Sequence, residues 1–329
     1  MNVRRLIPTT AVAGAVALGL VAVSACSTSA ASDGRSGGKL RVVASFYPMQ
    51  YLAEEIGGAH VSVSTLTQPG IEPHDLELKP RQTAELNEAG FILYLKGVQP
   101  AVDDAIAEAD VEHKVDAATL TTVEHHGAAG GHDHGHEAGD EGHAEEGHEH
   151  GGHESEGGDP HIWLDPVKYA EVAEKVGAKL AKADPDHAAD YEKNTDALVA
   201  KLTALDTDFQ QGLKNTATKT FITTHSAFGH LAERYGLDQE GIAGLDPEGE
   251  PSPARIRELQ TIAKKEKVTT VFFEALASDR TAKTLAADTG LKTDVLDPLE
   301  GITPESHGDD YLEVMRSNLA ALEKALGAR

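Results

Sequence analysis

Short apolar runs of strand type alternate with amphipathic helical ones over most of this chain, and that order leaves few architectures open. Lys39–Phe46 (KLRVVASF) is β-rich and apolar along its length, as in a strand covered on both faces of a parallel sheet. Tyr47–Ile56 carries apolar residues at helical spacing and stops at Gly57-Gly58. Val61–Leu66 is a second strand. Pro80 opens a helix through Glu88, with proline at its favoured first position. Phe91–Leu95 is a third strand and Val98–Ala109 a further helix. The second half resumes the alternation, with strands at Thr220–Thr224, Val268–Phe273 and Lys292–Leu296. Its helices are Ala227–Tyr235, Pro253–Lys265, Ser278–Thr289 and Asp310–Leu326. Between the halves, Pro166–Ala183 and Pro185–Leu213 read as helices, the second unbroken by glycine until Gly212. The spacing predicts an α/β fold of two lobes with mainly parallel sheets, residues 39–165 and 214–329, joined by a long spine helix within 166–213.

One segment cannot join either lobe. His125–His153 runs EHHGAAGGHDHGHEAGDEGHAEEGHEHGGH when read from Glu124, with nine histidines set among glycine and acid. It has no leucine, isoleucine, valine or aromatic ring to bury, so residues 124–155 are expected to form a disordered loop. Neutral imidazole is the commonest protein metal ligand. So many imidazoles among carboxylates suggest loose, exchangeable binding of a borderline metal such as zinc. A solvated spacer or affinity tag is the plainer alternative, but a tag sits at a terminus and lacks the acids.

The N-terminus reads as an export signal. Arg4 and Arg5 precede the apolar run Ala11–Val23, which is too short and too closely followed by polar residues for a membrane span. It ends in Val23-Ser24-Ala25-Cys26, similar to a bacterial lipobox, with residues 1–25 removed and Cys26 lipidated. Cys26 is the sole cysteine, so disulfides and cysteine-based zinc sites are excluded. Residues 26–38 follow as a flexible linker, tethering the protein to the outer face of the cell membrane. The formal charge of −25 makes nucleic acid an unfavourable partner, because phosphate binding needs a basic face. No glycine-rich phosphate loop is present either.

Several ionisable residues outside the loop fall where ligands of open α/β sheets bind, beyond the carboxyl ends of strands. His74 lies in a proline-restricted turn (GIEPHD) after the Val61–Leu66 strand. His161 lies in Asp159–Pro166 (DPHIWLDP), where the histidine-rich loop re-enters structure. His225 follows the Thr220–Thr224 strand, and Asp297 follows the last strand. Three imidazoles and one carboxylate match a four-coordinate zinc site, two ligands from each half, in a cleft between the lobes. Glu274 ends a strand near this cleft and suits a hydrogen-bond partner or a cap rather than a ligand. His230 lies five residues beyond His225 and reads as structural, while His60, His113, His187 and His307 belong to no motif.

The lipobox, EPHDLELKP at Glu72–Pro80, DPHIWLDP, THSAFGHLAERYGL at Thr224–Leu237 and VLDPLEG at Val295–Gly301 resemble the solute-binding lipoproteins of zinc ABC importers. These are the ZnuA-type members of the cluster A-I metal-binding family, and the similarity covers essentially the whole mature chain. The resemblance implies His74, His161 and His225 as zinc ligands, Asp297 as the fourth, and Glu300 or Glu72 as alternates. It implies a monomeric, non-enzymatic receptor that passes Zn2+ to a membrane permease, with limited hinge motion about the spine helix. His225, where manganese relatives carry glutamate, favours zinc over manganese. The alternatives are a surface zinc buffer or adhesin acting through the loop, a manganese-binding receptor, and a hydrolase with an open zinc position. Against the hydrolase, there is no HExxH helix.

Overall fold

Two mainly parallel sheets carry the architecture of this chain, whose computed structural model describes residues 34–126, 158–276 and 279–329. The expected signal segment, Cys26 and all but the first residues of the histidine-rich loop lie outside the described residues. In the first sheet β2 (Lys39–Ala44) is central. It is flanked in parallel by β3 (Val61–Thr65) from Leu40↔Val61 to Ala44↔Thr65, and by β4 (Phe91–Tyr94) from Val42↔Phe91 to Ala44↔Leu93. β5 (Lys114–Asp116) pairs with β4, also in parallel. The second sheet has the order β7 (Asp238–Gly241), β6 (Thr220–Thr223), β8 (Thr270–Phe273), β9 (Lys292–Val295), all parallel.

One pairing departs from the parallel rule. β1 (Arg35–Ser36) lies antiparallel to the start of β2, joined through Gly37 and Gly38 at φ of 57° and 84°. Residues at both central positions of such a turn need positive φ, which glycine adopts without steric cost. The last residues of the expected 26–38 linker are therefore part of the sheet. By composition they read as flexible, but the same two glycines are a hairpin signal.

Helices cover the sheets: α1 (Tyr47–Gly57), α2 (Pro80–Asn87) and α3 (Pro100–Glu108) in the first half, and α6 (Gly229–Tyr235), α7 (Pro253–Lys265), α8 (Arg280–Thr289) and α9 (Tyr311–Leu326) in the second. Between them run α4 (Pro166–Ala183) and α5 (Ala188–Gly212). α4 starts sharply because Pro166 sits at its first position and the Asp165 carboxylate accepts from Val167 N at 2.8 Å. The 25 residues of α5 make a rod of about 37 Å. Tyr191, Leu198, Leu202, Leu205 and Phe209 form its buried stripe at helical spacing. α5 packs along α4 and reaches α1 at one end and α9 at the other. One large apolar core results, running from Val42 and Phe91 of the first sheet through α4 and α5 to Phe221, Phe272 and Leu322, with a smaller cluster in each half.

α4 and α5 approach closely at Gly177. A Cβ there would sit 2.1 Å from Thr195 Oγ1, which is already committed to Tyr191 O at 2.7 Å. Gly177→Ala is expected to lower stability by about 1–3 kcal/mol, as overpacking of a tight core does. Thermal denaturation of the variant checks this; an unchanged or raised midpoint would mean the two helices have slack at this contact.

Candidate metal centre

The strands of both sheets deliver side chains to one place from their carboxyl ends. The loop after β3 carries Glu72 and His74; the turn after β6 carries His225; Glu274 follows β8; and the loop after β9 carries Asp297 and Glu300. His161 caps a single 3-10 turn, Ile162–Leu164, ahead of α4. The Nε2 atoms of His74, His161 and His225 lie 3.3, 3.4 and 3.3 Å from Glu300 Oε1. Zinc–nitrogen and zinc–oxygen bonds of 2.0–2.1 Å in a tetrahedron place donor atoms about 3.3–3.4 Å apart. The spacing of the three nitrogens from Glu300 Oε1 is thus that of donor atoms around zinc, and all four ligand atoms lie within 4.8 Å of one another. His161 and His225 are fully buried, Glu300 is 2% exposed, and His74 leaves the only partial opening of the four.

Each buried imidazole is oriented from behind. His161 Nδ1 lies 2.7 Å from Asp159 Oδ1, and the same oxygen accepts from the His161 backbone N–H at 3.0 Å. His225 Nδ1 lies 2.6 Å from Glu274 Oε1, which also accepts from the Thr224 hydroxyl. A carboxylate on Nδ1 fixes the tautomer that leaves the Nε2 lone pair for a metal and raises the basicity of the ring. Both Nε2 atoms are buried without a hydrogen-bond partner among the described residues. Buried polar atoms are rarely left so unless something else completes them.

Electrostatics point the same way. Burial opposes a charge on His161 and His225, but Asp159 acting on the first and Glu274 on the second outweigh it and raise both pKa values. Burial also works against a charged Glu300, yet the three histidines facing it at 3.3–3.4 Å hold it well below the usual carboxylate range. Burial and the Glu300 charge push Glu72 up to about 8. The cluster holds more carboxylate than a buried space tolerates without a cation.

The structure brings together the three expected histidines with Glu300, not with Asp297. Asp297 instead builds the turn that presents Glu300. Its Oδ1 accepts from Leu299 N at 2.8 Å, and Leu299 adopts φ of 59°, a left-handed conformation unusual for a branched residue. Asn318 of α9 clamps Asp297 on both sides, its Oδ1 accepting from Asp297 N at 2.9 Å and its Nδ2 donating to Asp297 O at 2.7 Å. Trp163 Nε1 donates to Pro298 O at 2.7 Å, tying this loop to the His161 turn. Glu72 is likewise a scaffold, with Oε1 accepting from His74 N at 3.2 Å. Placement relative to the strand end pointed to the first acid of the loop, and the left-handed turn carries the chain three residues further.

A two-sheet α/β protein whose cleft presents three imidazoles and a carboxylate to a small cation belongs to the class of metal-specific solute-binding proteins. Residues 42–325 match the family described as the periplasmic component A of a zinc-uptake complex, ZnuA. The chain belongs to that family. It is 37% identical over 313 residues to the high-affinity zinc uptake system protein ZnuA of Bacillus subtilis, covering 93% of this chain and 94% of that one. It is 36% identical over 307 residues to the zinc-binding lipoprotein AdcA of Streptococcus pneumoniae, covering 91% of this chain but only 58% of the longer relative. The Zn(II)-bound ZnuA-like domain of pneumococcal AdcA superposes with a TM-score of 0.69 at 32% identity, covering 88% of this chain and 99% of that domain.

Proposed function

We propose that this chain captures Zn2+ between its two sheets and delivers it to the permease of an ABC importer. His74, His161, His225 and Glu300 are the ligands in this reading. The observation that carries it is the convergence of three Nε2 atoms on Glu300 Oε1 at 3.3–3.4 Å, two of them buried and otherwise unpartnered. Three imidazoles suit zinc better than manganese, which prefers carboxylate and water. Two relatives point the same way, one a zinc uptake system protein and the other a zinc-binding lipoprotein. Lipidation of Cys26 would hold the protein on the extracytoplasmic face, and the acidic balance leaves nucleic acid aside. Nothing in this reading asks the site to do chemistry, so the chain is a receptor and not an enzyme.

The histidine-rich segment supports delivery through local concentration rather than tight binding. Zinc titration by calorimetry of the chain starting after Cys26 separates the two contributions. One tight site survives removal of residues 127–157 and is lost in His161→Ala. Several weak sites that vanish with the segment, with no tight one left, would overturn the cleft assignment and leave a surface zinc buffer.

A further inference from the structure

A second group of ligand-type side chains stands where the histidine-rich segment leaves the fold. His126 is the last described residue before residues 127–157, and Gly158 and Asp159 are the first after them. The two ends are pinned together by a hydrogen bond from Asp159 N to Glu124 O at 2.9 Å. Beside this neck runs α6, whose His230 and Glu233 are three residues apart and so share one face. Donor atoms of His126, His230 and Glu233 all lie within 4.8 Å of one another, and the two rings meet edge to face with centroids 4.4 Å apart.

Both rings are held against Asp159. His126 Nδ1 lies 2.9 Å from Asp159 Oδ2, and its Nε2 faces Glu233 Oε2 at 2.9 Å. His230 Nε2 lies 2.8 Å from the Asp159 carbonyl, which only accepts, so that nitrogen carries the proton. His230 Nδ1 is then a lone pair. It is buried, in a residue 1% exposed, and makes no hydrogen bond. It faces Glu124 Oε2 at 3.2 Å, an acceptor already paired with Lys168 Nζ at 2.7 Å. A lone pair facing a carboxylate in a buried position calls for a cation. The site is also built to let the ring in: a Cβ at Gly229 would lie 2.6 Å from both His126 Cγ and Asp159 Oδ2. On its outer side, His126, Gly229 and Glu233 line a cavity of 550 Å3 that gives an ion a way in.

We infer that His126, His230 and Glu233 form a second Zn2+ site at the neck of the histidine-rich segment. Two imidazoles and one carboxylate are three of the four ligands a tetrahedral zinc ion takes, and water from the cavity supplies the fourth. Glu233 is 60% exposed, so the site is weaker and faster to exchange than the buried one. Asp159 joins the two centres: one carboxylate oxygen holds His126 and the other holds His161. An ion handed over by the segment thus meets a fixed station before the cleft. This role rests on the reading that the chain takes up zinc, but the site stands or falls by itself.

Anomalous scattering at the zinc edge from crystals of the full mature chain with excess zinc tests it. Two fixed peaks are expected, one at His74, His161, His225 and Glu300 and one at His126, His230 and Glu233. Glu233→Gln, a change at an exposed position, and His230→Gln remove the second peak and leave the first. In solution, equilibrium dialysis at graded free zinc shows one equivalent bound at least about tenfold more weakly in Glu233→Gln. No peak at the second position with the first filled, or a second peak and unchanged dialysis in both variants, would overturn the proposal. A second peak without the first would instead sink the cleft reading and leave this one standing.

Discussion

Glu300→Gln lowers zinc affinity by about a hundredfold or more, while Asp297→Asn changes it by less than about tenfold. Structural zinc sites carry roughly 10–16 kcal/mol over four ligands, or about 3 kcal/mol each, which is on the order of a hundredfold in affinity. Glu300 presents one oxygen to three imidazoles at once, so its loss removes both a ligand and the negative charge that balances the ion. Asp297 contributes through Oδ1, which holds Leu299 in its left-handed turn, and asparagine keeps that acceptor. Competition against a chromophoric chelator measures both variants on one scale. Equal losses would make Asp297 a ligand in the bound state and undo the assignment made from the geometry.

Zinc affinity falls by on the order of a hundredfold or more between pH 8 and pH 6, about tenfold per pH unit for each proton that zinc displaces. The His161 and His225 pKa values are raised, so protons compete with the metal at higher pH than they do for ordinary histidines. The fold itself responds in the opposite sense when metal-free. A raised histidine pKa contributes stability that is fully present below the unfolded value of about 6.5 and is lost as pH rises through the folded value. Glu72, pushed up to about 8, adds to the loss, since its buried carboxyl must ionise over the same range. Glu300, held low, matters only in acid. Zinc at a hundredfold excess over Kd adds about 2.7 kcal/mol. The difference in melting temperature between zinc-loaded and chelator-treated protein is therefore expected to widen from pH 6 to pH 8. A difference that stays flat or narrows would show that protons and zinc do not compete for these nitrogens.

Much of this was legible in the residues because long elements declare themselves. Lys39–Ala44, Pro166–Ala183 and Ala188–Gly212 have strong periodicity or clear end signals, and the α/β class with two mainly parallel sheets follows from their order. The strands that escaped are short and polar. Lys114–Asp116 and Asp238–Gly241 lie at sheet edges, where one side needs no partner and the apolar signal fades. The three candidate histidines could be found because each lies in a loop after a strand or ahead of a helix. Choosing between Asp297 and Glu300 required a backbone dihedral at Leu299, which local composition does not encode. Asp159 was visible within DPHIWLDP, but its grip on two histidines depends on where α6 and the neck of the histidine-rich segment meet. His230 reads as structural by spacing, and its bond to the Asp159 carbonyl fits that role; only the unsatisfied second nitrogen shows more.

The uninterrupted core along α5 limits how an ion can come and go. Side chains from both sheets share one apolar cluster with that helix, so although each half also keeps a smaller cluster of its own, the two cannot part without dividing the larger interior. A jaw-like opening would tear this interior, and the cost of exposing several large apolar side chains, about 1.5–3 kcal/mol each, would accrue together. Traffic at the cleft is thereby left to small displacements of the His74 loop, which lies outside that cluster, while Leu296 and Leu299 anchor the Glu300 loop in it. Half-molecules cut at α5 should fail to fold alone, so the protein gains or loses its cargo as one cooperative body. A permease that unloads it has only to pull on a loop.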